Sequence, residues 1–449
     1  MTEPGMRKRI LLINAPSSRK DCICVLPPLG VLSLAAFLRR SGFGVAVADF
    51  NADMRWRAKL GALIGGYRPE VVGISSNFSN TALSLEIALM VKRFDGNITV
   101  VAGGPHPTIA PEEYAGGSID YVIPYEAELP LMDFLSSSDK NAVPGAVSLR
   151  RGDVNKAVAG IQRNCVEDMD SLPFPAYDMV DLRGYIGSIY RKRPLASIVT
   201  SRGCPYSCIF CSQAVFERRW RAFSADYVAE QMLWMTESLG IRELLIEDDN
   251  FTYDIERVFR ICELILSSGK KVNWQLSNGV RADRLSRELL AVMKRAGCWK
   301  ISIAPEVGDE ESLKVLSKGM TMEHFIRAAQ WCKELKIEFF CFFLMGFPFQ
   351  GRVNMENTVN FALRLDPLMM DLNKIVPFPD TPYFSRFPDR SIYKKAHSYQ
   401  YKGGDREVDR MCTRAYLRFY ARPEKLMRIL LAMGPLQFLR FVKYAGNVL

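Results

Sequence analysis

The chain has 449 residues, 48% of them hydrophobic and 24% charged. These are ordinary globular values, which exclude a long disordered chain and leave room for about two to three domains. The net charge is +10, but residues 386–449 hold 14 Lys/Arg against 5 Asp/Glu, so the first 385 residues are near neutral at +1 and the basic character belongs to the tail.

No run of about 18 apolar residues appears; the longest candidate, Ile337 to Phe349, is too short to span a bilayer and contains Glu338. Met1 to Arg9 lacks the apolar stretch of a signal peptide, which predicts a cytoplasmic protein. Eleven scattered cysteines are too few for a disulfide framework in this length, so a tight cluster of them becomes a metal-site candidate.

Residues 9–14 are an apolar run of buried-strand type, and a helix over 30–41 stops at Gly42. Strand-like runs recur at Gly44–Ala48, Glu70–Ser75, Ile98–Ala102 and Tyr121–Ile123, with a helix at Thr81–Phe94. This alternation predicts a parallel sheet covered on both faces, a doubly wound Rossmann-like domain over 1–150, with ligands at the carboxyl ends of its strands. Residues 151–193, with Leu172-Pro-Phe-Pro-Ala176, read as a linker. From 194 to 385, candidate strands at Ser197–Thr200, Glu243–Ile246, Asn273–Leu276, Lys300–Ala304, Glu338–Leu344 and Leu372–Val376 alternate with helices. Six such steps predict a partial (β/α)6 barrel of TIM type, with its site at the carboxyl ends.

Residues 386–449 read as a helical basic region. Arg406, Arg410, Arg414, Arg418 and Arg422 recur every four residues, while Val408, Met411, Cys412, Ala415 and Phe419 share another side at core spacing. Pro423 is placed to start a new helix. The arginine ridge is either a solvated face or a contact with an anionic surface. Leu426 to Leu449 suits either an interfacial helix or one packed on the barrel.

Arg202-Gly-Cys-Pro-Tyr-Ser-Cys-Ile-Phe-Cys211 spaces Cys204, Cys208 and Cys211 as CxxxCxxC, directly after a candidate strand. Iron–sulfur clusters are held by thiolates on short loops of this kind. Three cysteines leave one iron of a four-iron cubane without a protein ligand, and an open position suits chemistry on the metal. The alternatives are zinc or buried free thiols, but zinc prefers paired CxxC units or added histidines, and the chain has only three histidines, none near this loop.

This loop, with aromatic Phe210 before its last cysteine, resembles that of the radical S-adenosylmethionine superfamily. Other segments match in order: Glu247-Asp-Asp-Asn250 after the second strand, Ser277-Asn-Gly-Val-Arg-Ala-Asp283 at the third, Glu306 where many members read Glu-Ser-Gly, then Gly346-Phe-Pro348 and Pro377-Phe-Pro-Asp-Thr-Pro382. The resemblance implies a [4Fe-4S] cluster on Cys204, Cys208 and Cys211. It also implies S-adenosylmethionine contacts from Phe210, Glu247, Asp248, Asn278, Arg281, Glu306, Gly346 and Pro377. Reductive cleavage would then yield a 5′-deoxyadenosyl radical that removes hydrogen from an unactivated carbon.

The amino-terminal part resembles the cobalamin-binding module that precedes the barrel in one branch of that superfamily. The matching pieces are Pro28-Leu-Gly30, the Ser75–Ser76–Asn77 loop and Gly103-Gly-Pro-His106, with Tyr125-Glu-Ala-Glu128 a partial match through Glu126. The resemblance implies cobalamin contacts from Pro28, Leu29, Gly30, Ser75, Ser76, Asn77, Gly103, Gly104, Pro105, His106 and Glu126. No Asp-x-His-x-x-Gly occurs, so cobalamin is expected without a protein histidine on cobalt, and His106 is expected beside the corrin.

The implied reaction is methyl transfer from S-adenosylmethionine through methylcobalamin to an unactivated carbon or phosphinate-type centre. The alternative is a radical cyclisation or ring rearrangement with the same cofactors; a non-catalytic electron-transfer role is a third. A flavodoxin- or ferredoxin-type donor is implied by the cluster chemistry. The tail suggests weak peripheral membrane contact, with a lipid, isoprenoid or tetrapyrrole substrate as one option. Nucleic acid is not expected, since basic and aromatic residues are not interleaved.

Overall fold

A computed structural model describes residues 8–17, 24–53, 55–150, 152–386 and 406–448. Residues 387–405 of the basic tail therefore lie outside the described residues. The chain divides into two compact units, the first running to Tyr185 and also taking in Gln213–Glu217, the second beginning at Ile186.

In the first unit, β1 (Arg9–Asn14), β2 (Gly44–Asp49), β3 (Val71–Ser75), β4 (Thr99–Gly103), β5 (Tyr121–Ile123) and β6 (Val147–Ser148) form one sheet in the order β2-β1-β3-β4-β5-β6. All neighbours are parallel except β5 and β6. Ile10, Leu11 and Ile13 are wholly buried, as a strand covered on both faces must be. The helix Thr81–Phe94 buries Ile87, Ala88 and Val91 against this sheet. Among the elements not evident from sequence are the edge strand β6 and the helix Trp56–Tyr67. Gly61, Gly65 and Gly66 weaken the helix signal. It forms because Trp56, Leu60 and Ile64, four residues apart, enter the core.

The stretch read as a linker is folded against the first unit as far as Tyr185. The Tyr185 hydroxyl donates to Asp49 Oδ2 at 2.8 Å, Ala176 N donates to Leu32 O at 3.1 Å, and Arg39 pairs with Asp178 at 2.6 Å.

In the second unit, β7 (Leu195–Ile198) leads to a two-residue antiparallel pair, β8 (Ser201–Arg202) with β9 (Arg221–Ala222). Then follow β10 (Glu243–Ile246), β11 (Trp274–Val280), β12 (Cys298–Glu306), β13 (Glu338–Met345) and β14 (Met369–Lys374). The large sheet runs β7-β10-β11-β12-β13-β14, all parallel, in chain order, with a helix at each crossover. This is the partial (β/α)6 barrel. The helix Ile255–Ser267 shows why: Val258, Ile261, Cys262 and Ile265 make one buried stripe, and Asp254 caps its start by accepting from Arg257 N. β7 ends two residues earlier than the sequence predicts, because Thr200 N bonds the Asp248 carboxylate instead of a neighbouring strand.

The basic tail closes this unit. Ile429, Met433 and Phe441 pack with Ile189, Trp299, Leu368 and Met369, beneath the amino ends of the strands. The helix Arg406–Tyr420 buries Val408, Met411, Ala415 and Phe419 and runs along the edge strand β14, while Cys412 is only half-buried. Pro423 starts the next helix, Pro423–Met433. Among the described residues no helix is long and apolar enough to cross a membrane.

Candidate functional site

The cysteine loop leaves β7 at the carboxyl end of the barrel. Asp248, two residues beyond β10, accepts from Thr200 N and Thr200 Oγ1 at 2.6 Å and from Ser201 Oγ at 2.5 Å. Burial pushes its carboxyl up, and the Arg257 guanidinium opposes that. Asp249 accepts from Gly203 N at 3.2 Å, where the left-handed backbone (φ 82°) suits glycine. Asn250 Nδ2 points at Cys204 Sγ from 3.9 Å. One acidic tetrapeptide thus fixes the start of the loop. Its far side is held by Ile209, whose N donates to Leu316 O (3.2 Å) and whose carbonyl accepts from Tyr383 N (3.0 Å). Ser212 Oγ donates to Asp380 Oδ2 at 2.7 Å.

Cys204, Cys208 and Cys211 are all half-buried on this loop. Burial pushes the Cys204 and Cys208 thiols up, so the thiolate form needs a metal to favour it. Among the described residues no three Cys, His, Asp or Glu side chains are grouped as a single bound ion requires.

The expected S-adenosylmethionine contacts take different places. Phe210 packs edge-on to Phe347, centroids 6.2 Å apart, beside Gly346. Gly346 has φ 90°, and its N donates to Gln350 Oε1. Asn278 Nδ2 donates to Glu247 O at 2.8 Å. Asp248 has its oxygens engaged by the loop start, whereas Glu247 Oε1, Ser277 Oγ and Asn250 Oδ1 are buried with no hydrogen-bond partner among the described residues. Burial pushes the Glu247 carboxyl up; Ser277 and Lys300 lie near enough to temper the shift. Arg281 forks onto Asp283 with two 2.9 Å bonds and lies 3.6 Å over the Tyr206 ring. Glu306, at the end of β12, adopts φ 68° and pairs with Lys318 at 2.6 Å. Pro377 is buried just after β14. Sequence reasoning gives no role to Lys318 or Tyr206 and names Asn250 only as the end of the Glu247-Asp-Asp-Asn250 segment. A buried lysine gives no local pattern, although Lys318-Gly319 does precede a helix.

These residues fit the implied groups. Three thiols on one loop are a cluster donor set. Orphaned carboxylate and amide oxygens just beyond β10 and an orphaned hydroxyl within β11 are suitable acceptors for an ammonium and ribose hydroxyls.

In the first unit, Ser75 and Gly103 are register partners at the carboxyl ends of β3 and β4. A Cβ on Gly104 (φ 105°) would lie 2.6 Å from Ser76 O, so glycine alone lets the two loops touch. Gly30, Asn77 and Pro105 are exposed, and Pro28, Leu29, Ser75, Gly103, Gly104 and Glu126 are partly so, leaving these loops open to a large ligand. Ser76 and His106 lie beneath. Ser76 Oγ bonds Tyr114 OH at 2.7 Å, and His106 Nδ1 lies 2.9 Å from both Thr81 Oγ1 and Tyr114 OH. The His106 ring is wholly buried, with Phe78 and Tyr114 edge-on. It supports the loop from below.

Residues 198–362 match the Radical SAM superfamily, and residues 24–135 match the B12 binding domain. An uncharacterised methyltransferase of Pyrococcus horikoshii is 27% identical over 90% of this chain and 89% of its own length. The anaerobic magnesium-protoporphyrin IX monomethyl ester cyclase of Cereibacter sphaeroides is 23% identical over 81% of this chain and 61% of its own. The solved structure of the cobalamin-dependent S-adenosylmethionine radical enzyme OxsB superposes with a TM-score of 0.67 at 20% identity, covering 87% of this chain and 56% of that one. At that identity the superposition shows the fold alone. The chain spans under two thirds of the cyclase and of OxsB.

Proposed function

The chain belongs to the radical S-adenosylmethionine superfamily and carries a B12-binding domain ahead of its barrel, and from that premise we propose that it is a cobalamin-dependent methyltransferase acting on an unactivated carbon or phosphinate-type centre of a small molecule. The observation that carries this reading is the cysteine loop at the barrel's carboxyl end, with orphaned Glu247 and Asn250 oxygens just beyond β10 and the orphaned Ser277 hydroxyl on β11.

When bound, the cluster supplies an electron that cleaves S-adenosylmethionine, and cobalamin carries the methyl group. Cys204, Cys208 and Cys211 would hold the cluster. The Asn250 amide, directed at Cys204 Sγ, donates toward sulfur and favours its charged form. Glu247 and Ser277 would accept from ammonium and hydroxyl donors. Phe210 and Phe347 pack edge-on and would place apolar surface beside the cluster. Ser75, Asn77 and Gly103 to Pro105 would face cobalamin, with Ser76 and His106 as their support.

A radical cyclisation or rearrangement is the second reading, favoured by the similarity to the cyclase. The finer partners are a flavodoxin- or ferredoxin-type donor and a lipid, isoprenoid or tetrapyrrole substrate, in the reducing cytoplasm. Weak membrane contact is supported by exposed Met427, Leu431, Leu436 and Leu439 on the basic tail.

Anaerobic reconstitution with iron, sulfide and cobalamin, then methyl-labelled S-adenosylmethionine, reductant and cell extract, tests this function. Label in a stable product, with 5′-deoxyadenosine and S-adenosylhomocysteine both formed, is the expected result. Substrate-dependent 5′-deoxyadenosine without transferred label would replace it by cyclisation or rearrangement.

A further inference from the structure

We propose that the buried Glu306–Lys318 pair sets the electrostatic field at the cysteine loop and thereby the ease with which its cluster takes up an electron. This rests on the cluster assignment above.

The geometry begins with a strap. Leu316 to Gly319 bends across the loop, with left-handed φ at Ser317 (54°) and Gly319 (66°). Leu316 O accepts from Ile209 N at 3.2 Å, one residue from Cys208. Lys318 O accepts from Arg281 Nη1 at 2.8 Å, and Arg281 lies over Tyr206, two residues from Cys204. The strap therefore touches the loop directly at one end and through a stacked guanidinium at the other.

The Lys318 ammonium is turned inward. Its side chain is 9% exposed and donates to Glu306 Oε1 at 2.6 Å and to Ala304 O. Glu306 is 10% exposed and sits at a left-handed φ that a non-glycine residue seldom adopts. A buried ion pair is weak evidence for stability, because desolvation offsets its attraction. A strained backbone at the same place points the same way, toward a role other than holding the fold.

Lys318 stands two residues past Leu316, whose carbonyl holds Ile209 next to Cys208, and Arg281 and Arg218 are further charges tied to this loop. Arg281 is matched by Asp283 with two bonds. Arg218 donates to the Tyr206 carbonyl. The pair is thus a balanced positive and negative charge at the strap that holds the residue after Cys208. Reduction adds an electron to the cluster, so a nearby cation favours it and a nearby anion opposes it. Breaking the pair from either side unbalances the field in opposite directions.

The test is the midpoint potential of the reconstituted cluster in the full chain, without S-adenosylmethionine, followed by electron paramagnetic resonance. Iron and sulfide content is measured first; a wild-type chain that takes up no four-iron cluster would overturn the functional reading itself. Given a cluster, Lys318→Met is expected to lower the potential and Glu306→Gln to raise it. Each should change the reduction equilibrium about tenfold, or about 59 mV for one electron. The double variant should return toward wild type, and Lys318→Arg should stay near it. Shifts of the same sign, or none, would overturn the proposal. If Lys318→Met fails to load, Glu306→Gln and Lys318→Arg decide: an upward shift in the first with little change in the second supports the field, and anything else sinks it.

Discussion

The Tyr420 hydroxyl accepts from Met370 N at 3.0 Å and donates to Met370 O at 2.8 Å, so a side chain completes the bonding of an edge strand. One turn earlier, Tyr416 OH accepts from Leu372 N at 3.0 Å. Among the described residues β14 has no strand beyond it, and an open edge is an aggregation hazard. The two tyrosines, four residues apart on one helix face, match the two-residue spacing of inward groups on the strand. Tyr420→Phe should cost about 1–3 kcal/mol, because it leaves buried backbone groups unsatisfied. Denaturant unfolding would measure the loss, and amide exchange at Met370 should quicken. Unchanged exchange would show that the hydroxyl is dispensable.

Asp248 touches no cysteine but fixes Thr200 and Ser201 ahead of Cys204. Asp248→Ala should leave buried donors unpaired and loosen the loop, at about 2–5 kcal/mol of stability. Iron bound per chain after reconstitution should fall with it. Full iron content in the folded variant would mean that the loop holds its own shape.

Glu247 gives the opposite pattern. Its Oε1 is orphaned rather than engaged. Glu247→Gln should leave iron content intact and weaken S-adenosylmethionine binding about tenfold or more, the worth of one charge-assisted hydrogen bond. Equilibrium dialysis on the cluster-loaded protein reads this directly. Unchanged affinity would remove Glu247 from the contact set.

Lys425 supplies a pH dependence. Asp366 is shared by Lys425 (2.7 Å), Arg422 (2.8 Å) and Arg428 (3.6 Å). One carboxylate facing three cations is held below its usual range by them despite its burial. Lys425 is pushed down to about 8, chiefly by burial, with Arg428 and Arg422 adding to the effect and Asp366 opposing it. Below pH 8 both folded and unfolded chains carry this proton, and folding bears the cost of burying the charge. As pH rises from about 8 toward the ordinary value of 10.5, the folded chain releases a proton that the unfolded chain keeps, so this cost is relieved. Relative to Lys425→Met, the wild type should gain on the order of 1 kcal/mol between about pH 7.5 and about pH 9.5. A gap that is flat or shrinks with pH would refute the assignment.

The tail offers a membrane test. Leu431 is 77% exposed and Leu436 and Leu439 are each 65% exposed, while Arg440 and Lys443 are exposed beside them. Arg414 and Arg418 are partly engaged instead, by Glu356 at 4.0 Å and Asn360 at 3.2 Å. Flotation with anionic liposomes should be seen at low salt, weaken as salt screens the charge, and drop in Leu431→Ser/Leu439→Ser. No flotation of the wild type at low salt would end the idea.

Some of this was legible in the chain and some was not, for identifiable reasons. The three-cysteine spacing and the order of motifs along the barrel are local, so they can be read directly. The strand positions followed from apolar runs, and the errors fell where side chains intervene, as at Thr200, whose amide bonds Asp248 48 residues away. Helix Trp56–Tyr67 was hidden by its glycines. His106 was expected beside a ligand, yet its ring is enclosed by Thr81, Tyr114 and Phe78, which no short window displays.

Hydrophobic period and ligand spacing act over a few residues, so the doubly wound domain, the partial barrel and the cysteine loop are readable from the chain alone. Folding selects which carboxylates are engaged and which are left open. Only folding pairs Glu306 with Lys318, and turns two tyrosines of the basic tail into the missing edge of β14. Those outcomes depend on groups brought together across 12 to 50 residues of chain. There, burial and hydrogen-bond completion, rather than local propensity, select the partner.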